Sequence, residues 1–219
     1  MIVWLASFPR SGNTLLRSVL RGVFGLETFS KYEPAGSPSM DQRLTDLIGV
    51  TKYEGDFGAF STAAREADDL SIIKTHDGPE GLDKAIYVVR DGLVATDSYR
   101  HYRTATEGRQ VSWLEVLAAD RPFDNWSLHL DAWRPLERPE TLLVRYEDLV
   151  GAPEAEIARI AAFLGRPALA RWVDPWETVN SIGPNFFRRG KADRPASITS
   201  DEAEAFMALH GEWMGRLGY

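Results

Sequence analysis

Short, continuous apolar runs alternate along this chain with longer stretches in which apolar residues recur every three or four positions. Runs this short predict strands buried on both faces, and the helical spacing predicts amphipathic helices between them. The predicted strands span 2–6, 71–76, 85–90 and 141–146. Because strands that alternate with helices favour parallel pairing, we predict an α/β fold. Its central, mainly parallel sheet has about four or five strands and is flanked by helices.

The helices are predicted from apolar periodicity and from residues that are typical of helix ends. Asp91 can cap one helix, Pro153 suits the first turn of another, and Gly165 can end it. The predicted helices span 15–24, 91–102, 111–119, 123–136, 153–164 and 201–217. Within them, Trp126 recurs at helical spacing with further apolar residues, which predicts a core position, and His210 is predicted to be packed rather than catalytic.

Residues 27–69 lack a long periodic pattern because glycine and proline interrupt them. Only a turn or two of helix is predicted there, at 41–48 and at 62–69. In an α/β enzyme, such a region often covers the site and shapes an acceptor pocket. A mere connection with short helices fits the same sequence equally well.

A small, polar loop at 7–14 joins the first predicted strand to the first predicted helix. The free amide groups of the first helical turn point outward and favour an anion, and Arg10 and Asn13 add side-chain donors. The loop therefore predicts a phosphate site, although an ordinary strand-to-helix turn has the same pattern. The motifs G-x-x-x-x-G-K-[ST] and G-x-G-x-x-G are both absent, which argues against an ordinary NTPase or a dinucleotide enzyme.

Charged and titratable residues stand where two other predicted strands end. Lys74 and His76 stand two residues apart on the second strand, so their side chains point to the same face. Arg90 ends the third strand. Ser98 lies eight residues beyond Arg90, a spacing that lets both groups converge on one anion. Parallel sheets bind ligands beyond the carboxyl ends of their strands, but isolated residues of these types also occur in plain loops.

A third group of cations follows near the C-terminus, where Arg188, Arg189 and Lys191 flank Gly190 in a proline-bounded segment. Such a group can clamp an anion, and it is also typical of a solvated loop.

Composition and charge narrow the class of protein. The net charge of −7 argues against a general nucleic-acid partner, and the absence of cysteine excludes disulfides and Cys-ligated metals. The apolar N-terminus lacks a basic n-region and is too short for a signal peptide or a membrane span. We expect a cytoplasmic protein with one domain over 1–219 and no metal site.

Taken in order, these motifs resemble the sulfotransferase family that uses 3′-phosphoadenosine 5′-phosphosulfate (PAPS). The matching segments are the loop 7–14, the strand tip 74–76, the segment 87–90 with Ser98 and Tyr99, the segment 145–149 with Trp126, His129 and Trp133 before it, and the loop 187–190. The resemblance covers most of the chain and implies a P-loop-like fold, although the chain is short for the larger cytosolic members.

The resemblance also implies roles for single residues. The 5′-phosphosulfate would be held by Arg10, Ser11, Gly12, Asn13 and Thr14. The 3′-phosphate would be held by Arg90, Ser98, Arg188, Arg189 and Gly190. Tyr146 would lie near the adenine, His76 would be the general base, and Lys74 would neutralise charge at the transferring group. The product would be 3′,5′-adenosine bisphosphate (PAP), and the acceptor a hydroxyl or amine of a small molecule or glycan.

Two positions depart from the family pattern. Arg10 stands where the family often has lysine; arginine keeps the charge that stabilises a leaving group but cannot donate a proton at neutral pH. Leu15 stands where many members have a tryptophan that stacks on adenine. A nucleotide kinase of similar architecture and a non-catalytic nucleotide-binding or scaffold protein remain alternatives. The acceptor and the oligomeric state are not predicted.

Overall fold

Five strands form a parallel sheet at the centre of the molecule. They are β1 (Ile2–Ser7), β2 (Thr28–Ser30), β3 (Ser71–Thr75), β4 (Lys84–Val89) and β5 (Thr141–Arg145). The order across the sheet is β2-β3-β1-β4-β5, and every pairing is parallel. The computed structural model describes residues 1–33, 35, 41–121, 123–182 and 198–219. The prediction of an α/β fold with a sheet of this size is confirmed.

Helices lie on both faces of this sheet. They are α1 (Asn13–Phe24), α2 (Gln42–Ile48), α3 (Phe57–Glu66), α4 (Gly92–Glu107), α5 (Trp113–Leu117), α6 (Trp126–Trp133), α7 (Tyr146–Gly151), α8 (Pro153–Leu164), α9 (Trp176–Ile182) and α10 (Ser200–Leu217). Their ends follow local chemistry. The Asp91 carboxylate accepts from the amides of Leu93 and Val94 at the start of α4, and Gly165 ends α8 in the left-handed conformation.

The central strand β1 divides the core into two layers, because successive side chains point to opposite faces of a strand. Trp4 packs in one layer with Trp126 of α6. Leu5 packs in the other layer with Leu16 of α1 and Ile160 of α8. All six residues of β1 are buried, as a strand covered on both faces requires.

The core positions predicted on α6 are confirmed. Trp126, Leu130 and Trp133 are each no more than 1% exposed. His210 is buried, which confirms that it is packed, and its Nδ1 lies 2.7 Å from the Ser127 hydroxyl of α6.

Three elements, β2, α7 and α9, were not predicted. Strand β2 has only three residues, too few to show a period of two. Tyr146, predicted to end the fourth strand, instead begins α7. Helix α3 begins at Phe57, where Asp56 caps it, and not at residue 62. Arg17 of α1 is buried; its Nε donates to Thr28 Oγ1 at 2.6 Å and ties α1 to β2.

Candidate functional site

The carboxyl ends of three neighbouring strands meet at one edge of the sheet. In the register of the sheet, Ala6 of β1 lies opposite Thr75 of β3, and Ser7 lies opposite Val88 of β4. The loop after β1, the tip of β3 and the start of α4 are therefore adjacent. All three carry the residue types that the sequence predicted for an anion and proton-transfer site.

The loop between β1 and α1 is shaped by left-handed backbone. Arg10 has φ 68° and Gly12 has φ 105°. A Cβ on Gly12 would lie only 2.4 Å from Tyr146 Cδ2, so glycine is required both by its φ and by the ring above it. Tyr146, predicted to lie near a nucleotide base, thus covers this loop from the start of α7.

The side chains of this loop differ in whether they make hydrogen bonds within the described part of the protein. The Asn13 amide donates to Leu5 O at 3.2 Å and to Ser7 Oγ at 3.3 Å, which fixes the loop on β1. The Ser11 hydroxyl is buried and has no hydrogen-bond partner within the described part of the chain. Thr14 is half-buried in the first turn of α1. A buried hydroxyl next to a helix N-terminus is a feature that an anionic group satisfies.

His76 lies just beyond β3 and is turned toward β1. Its Nδ1 is 2.7 Å from Ser7 O, and since a carbonyl oxygen only accepts, Nδ1 carries the proton and Nε2 carries the lone pair. Burial, and next the charge of Lys74, hold the pKa of His76 well below its usual value. The imidazole is therefore neutral at pH 7 and can take a proton on Nε2.

Lys74 is the second group at the tip of β3. Burial, followed by the charge of Arg17, lowers the pKa of Lys74 to about 8, and nearby Glu33 opposes this shift. Its ammonium group lies 5.1 Å from the centroid of the Tyr32 ring. Lys74 is thus mostly charged at neutral pH, but less strongly held in that form than an exposed lysine.

A buried histidine supports the same strand tip from α6. His129 Nε2 lies 3.1 Å from the carbonyl oxygen of His76, and its Nδ1 lies 2.6 Å from the Tyr87 hydroxyl. Burial lowers the pKa of His129 to about 3, so the ring is neutral and donates from Nε2 to the carbonyl. In addition, Trp133 Nε1 donates to Asp77 O at 2.8 Å.

The cations that were predicted to bind phosphate lie close together on the other side of the loop. Arg10 Nε donates to Ser98 Oγ at 3.4 Å, and Arg90 Nη1 donates to the Arg10 carbonyl at 3.4 Å. The guanidinium group of Arg90 also lies 4.5 Å from the centroid of the Tyr146 ring. The structure therefore brings together Arg10, Arg90, Ser98 and Tyr146, whereas Arg188, Arg189 and Gly190 lie outside the described residues.

Sequence reasoning missed two residues that support the site. Tyr32, just after β2, contacts the strand tip in several ways, and nothing in the unpatterned segment 27–69 singled it out. Glu147 accepts from Asp91 N at 3.0 Å and from the Tyr219 hydroxyl at 2.8 Å, so it joins α7 to the start of α4 next to Arg90. Its place directly after a predicted strand was the available signal.

Comparison with known protein families identifies the family of this chain. The family model described as "Sulfotransferase domain" matches residues 2–214. The chain belongs to the sulfotransferase domain family. The resemblance inferred from the ordered motifs is thereby confirmed.

Curated relatives of this sulfotransferase-family chain are distant but numerous. Cytosolic sulfotransferase 14 of Arabidopsis thaliana is 27% identical over 192 residues, which cover 75% of this chain and 54% of the relative. Sulfotransferase 1A1 of Bos taurus is 25% identical, with 95% of this chain and 75% of the relative covered. The chain spans about half the length of the plant relatives that it matches.

Solved structures share the sulfotransferase fold. Mouse sulfotransferase SULT7A1 complexed with PAP has a TM-score of 0.62 and 19% identity, covering 98% of this chain and 84% of that chain. Retinol dehydratase in complex with androsterone and the inactive cofactor PAP has a TM-score of 0.63 and 16% identity, covering 97% of this chain and 80% of that chain. In the described part of this chain, no helix has the length and apolar character needed to span a membrane.

Proposed function

We propose that this chain is a sulfotransferase that moves a sulfuryl group from PAPS to a hydroxyl or amine of a small-molecule or glycan acceptor. Membership of the family supports the reaction class, and the PAP complexes of the two similar structures support the donor. The observation that carries the proposal is the neutral His76, held through Nδ1 at the strand tip beside an anion-type loop.

The residues present fit a donor with phosphate groups at two positions. The buried Ser11 hydroxyl, the first-turn amides of α1 and Arg10 would hold the 5′ side. Arg90 and Ser98 would hold the 3′-phosphate, together with the cations at 188–190, and Tyr146 would lie near the adenine. Asn13 would act mainly by fixing the loop, since its amide is bonded to β1.

Proton transfer and charge neutralisation would fall to different residues. When bound, PAPS supplies the sulfuryl group and departs as PAP. His76 Nε2 would take the proton of the acceptor, while Nδ1 stays on the Ser7 carbonyl. Lys74 and Arg10 would stabilise the negative charge that develops around the transfer, and Arg10 would not donate a proton. No metal is needed for these roles.

The first test is a thermal-shift titration with PAP beside one with ATP and Mg²⁺. A ligand at a hundred times its Kd stabilises a folded protein by about 2.7 kcal/mol, which gives a clear shift in Tm. We expect a shift with PAP and none with ATP–Mg²⁺. A shift with ATP–Mg²⁺ alone would contradict the proposal in favour of a kinase. PAP binding without turnover over a broad acceptor panel would favour a non-catalytic nucleotide-binding protein.

The acceptor panel should begin with phenolic compounds, because one plant relative is named flavonol 3-sulfotransferase, and extend to amines and glycans.

We propose that one domain over 1–219 holds both the donor and the acceptor sites. A cytoplasmic location is proposed from the name of the Arabidopsis thaliana relative.

A further inference from the structure

Tyr32 lies next to the strand tip and bonds its backbone. Its hydroxyl accepts from the His76 backbone N–H at 2.8 Å and donates to Asp77 Oδ1 at 3.0 Å. The same hydroxyl lies 3.4 Å from Thr75 Oγ1, which in turn accepts from the Asp77 N–H at 3.0 Å. One phenol hydroxyl therefore contacts three consecutive residues, 75–77.

The ring of Tyr32 contacts both side chains proposed for the chemistry. It is stacked on the His76 imidazole, with a centroid distance of 6.3 Å and an interplanar angle of 13°. The Lys74 ammonium lies 5.1 Å from its centroid. Because the face of an aromatic ring attracts a cation, this arrangement holds Lys74 and His76 next to the same ring.

The backbone next to Tyr32 is itself anchored to β3. Ser30 is opposite Lys74 in the register, and the Lys31 N–H donates to the Lys74 carbonyl at 3.0 Å. The Lys31 ammonium pairs with Asp77 at 2.6 Å and also with Glu80. Tyr32 therefore reaches His76 from a fixed position, although 44% of its surface is exposed.

His76 needs such a partner because β3 ends one residue before it, at Thr75. Its N–H lies outside the strand and is bonded by the Tyr32 hydroxyl instead of a neighbouring strand. A small displacement of a general base costs a large factor in rate, since proton transfer requires hydrogen-bond distance to the acceptor.

We propose that Tyr32 is a positioning residue for proton transfer: its hydroxyl fixes the backbone of His76, and its ring aligns the imidazole and the Lys74 ammonium. This inference rests on the proposed sulfotransferase function. It adds a residue from the unpatterned segment before β3 to the site.

The test compares Tyr32→Phe with Tyr32→Leu and with a matched control. Tyr53 provides the control, since its hydroxyl also bonds backbone nearby, donating to Lys31 O at 2.9 Å, but does not contact 75–77. Each variant is assayed with labelled PAPS and the acceptor that gives the highest wild-type rate in the panel. PAP affinity is measured by calorimetry, and exchange of the His76 backbone amide by NMR.

For Tyr32→Phe we expect kcat to fall about tenfold, the size of effect that loss of the hydrogen bond to the His76 N–H produces, with unchanged acceptor KM and PAP affinity. Exchange of the His76 amide should become at least about tenfold faster for the same reason. Tyr32→Leu should lower kcat further because the ring is also lost. Tyr53→Phe should leave kcat and the His76 amide as in the wild type.

Two results would overturn the inference while the proposed function stands: a wild-type kcat in Tyr32→Phe, or an equal loss of kcat in Tyr53→Phe, which would indicate a general loosening of the loop. An equal kcat in Tyr32→Phe and Tyr32→Leu would overturn the role of the ring. A wild-type protein that transfers no sulfuryl group to any acceptor of the panel would overturn the proposed function and this inference together.

Discussion

The two sides of the site are built differently. On the base side, defined as residues 74–77 with Tyr32 and His129, three hydrogen bonds hold His76: Nδ1 to Ser7 O at 2.7 Å, its backbone N–H to Tyr32 Oη at 2.8 Å, and its carbonyl oxygen to His129 Nε2 at 3.1 Å. On the cation side, defined as Arg10, Arg90 and Ser98, the described contacts include two hydrogen bonds of 3.4 Å, and the guanidinium groups of Arg10 and Arg90 lie over the rings of Tyr102 and Tyr146.

The two sides have different tasks in the proposed reaction, namely proton transfer and phosphate binding. A general base must be neutral and correctly aimed before the acceptor arrives, so hydrogen bonds that fix both its imidazole and its backbone favour it. Cations that bind phosphate must exchange their present contacts for those of the anion. We expect variants on the base side to change kcat and variants on the cation side to change donor affinity.

The largest effect should come from His76→Ala. Removal of the proposed base should lower kcat by about 10²- to 10⁴-fold, the usual contribution of general base catalysis. PAP should still raise the Tm, because the cation side is intact. Turnover of labelled PAPS with the best acceptor measures the first effect and thermal shift the second. Retained turnover would remove His76 from the role of base.

Arg90→Ala should give the converse result. The loss of a charge-assisted bond to phosphate should weaken PAP binding by about 10- to 100-fold, with kcat little changed at saturating PAPS. Isothermal titration calorimetry with PAP measures the affinity. Arg43→Ala is the matched control, because Arg43 is an exposed arginine of α2 that pairs with the capping residue Asp41. Equal affinities in the two variants would contradict the assignment of Arg90.

The smallest effect is a pH dependence on the base side. The pKa of Lys74 is lowered to about 8, so its charge is lost as the pH rises through about 8, and kcat should decline above that value. The pKa of His76 is lowered, so the base stays neutral below pH 6.5, and the acid limb should begin below its ordinary value. Each limb changes the rate by up to about tenfold per pH unit.

Lys74→Arg tests the origin of the alkaline limb. Arginine keeps its charge at all working pH values, so kcat of this variant should not decline between pH 8 and 9. The matched measurement is a rate profile of both proteins from pH 5 to 9 under saturating donor. A decline of the same size in Lys74→Arg would mean that another group titrates there.

Much of this molecule could be predicted from local sequence. The strands β1, β3 and β4 are short apolar runs because a strand in the middle of a parallel sheet is buried on both faces, and the edge strand β5 could be predicted from its apolar run at 142–144. The parallel order of the sheet brings the residues after β1, β3 and β4 to one edge, which is why the loop 7–14, His76 and Arg90 could be assigned to one site. The motifs in this order also resembled the family that the comparison confirmed.

Only the tertiary structure decided how these groups are held. Tyr32 and His76 lie 44 residues apart, and their hydrogen bond depends on the three-residue strand β2, which carries no readable period. Tyr146 covers Gly12 because a helix, and not a continued strand, begins at that residue. The lowered pKa values of Lys74 and His76 arise from burial, followed by the charge of Arg17 for Lys74 and the charge of Lys74 for His76. Residue types and strand ends are local properties of the sequence, whereas desolvation and long-range hydrogen bonds exist only once the chain has folded.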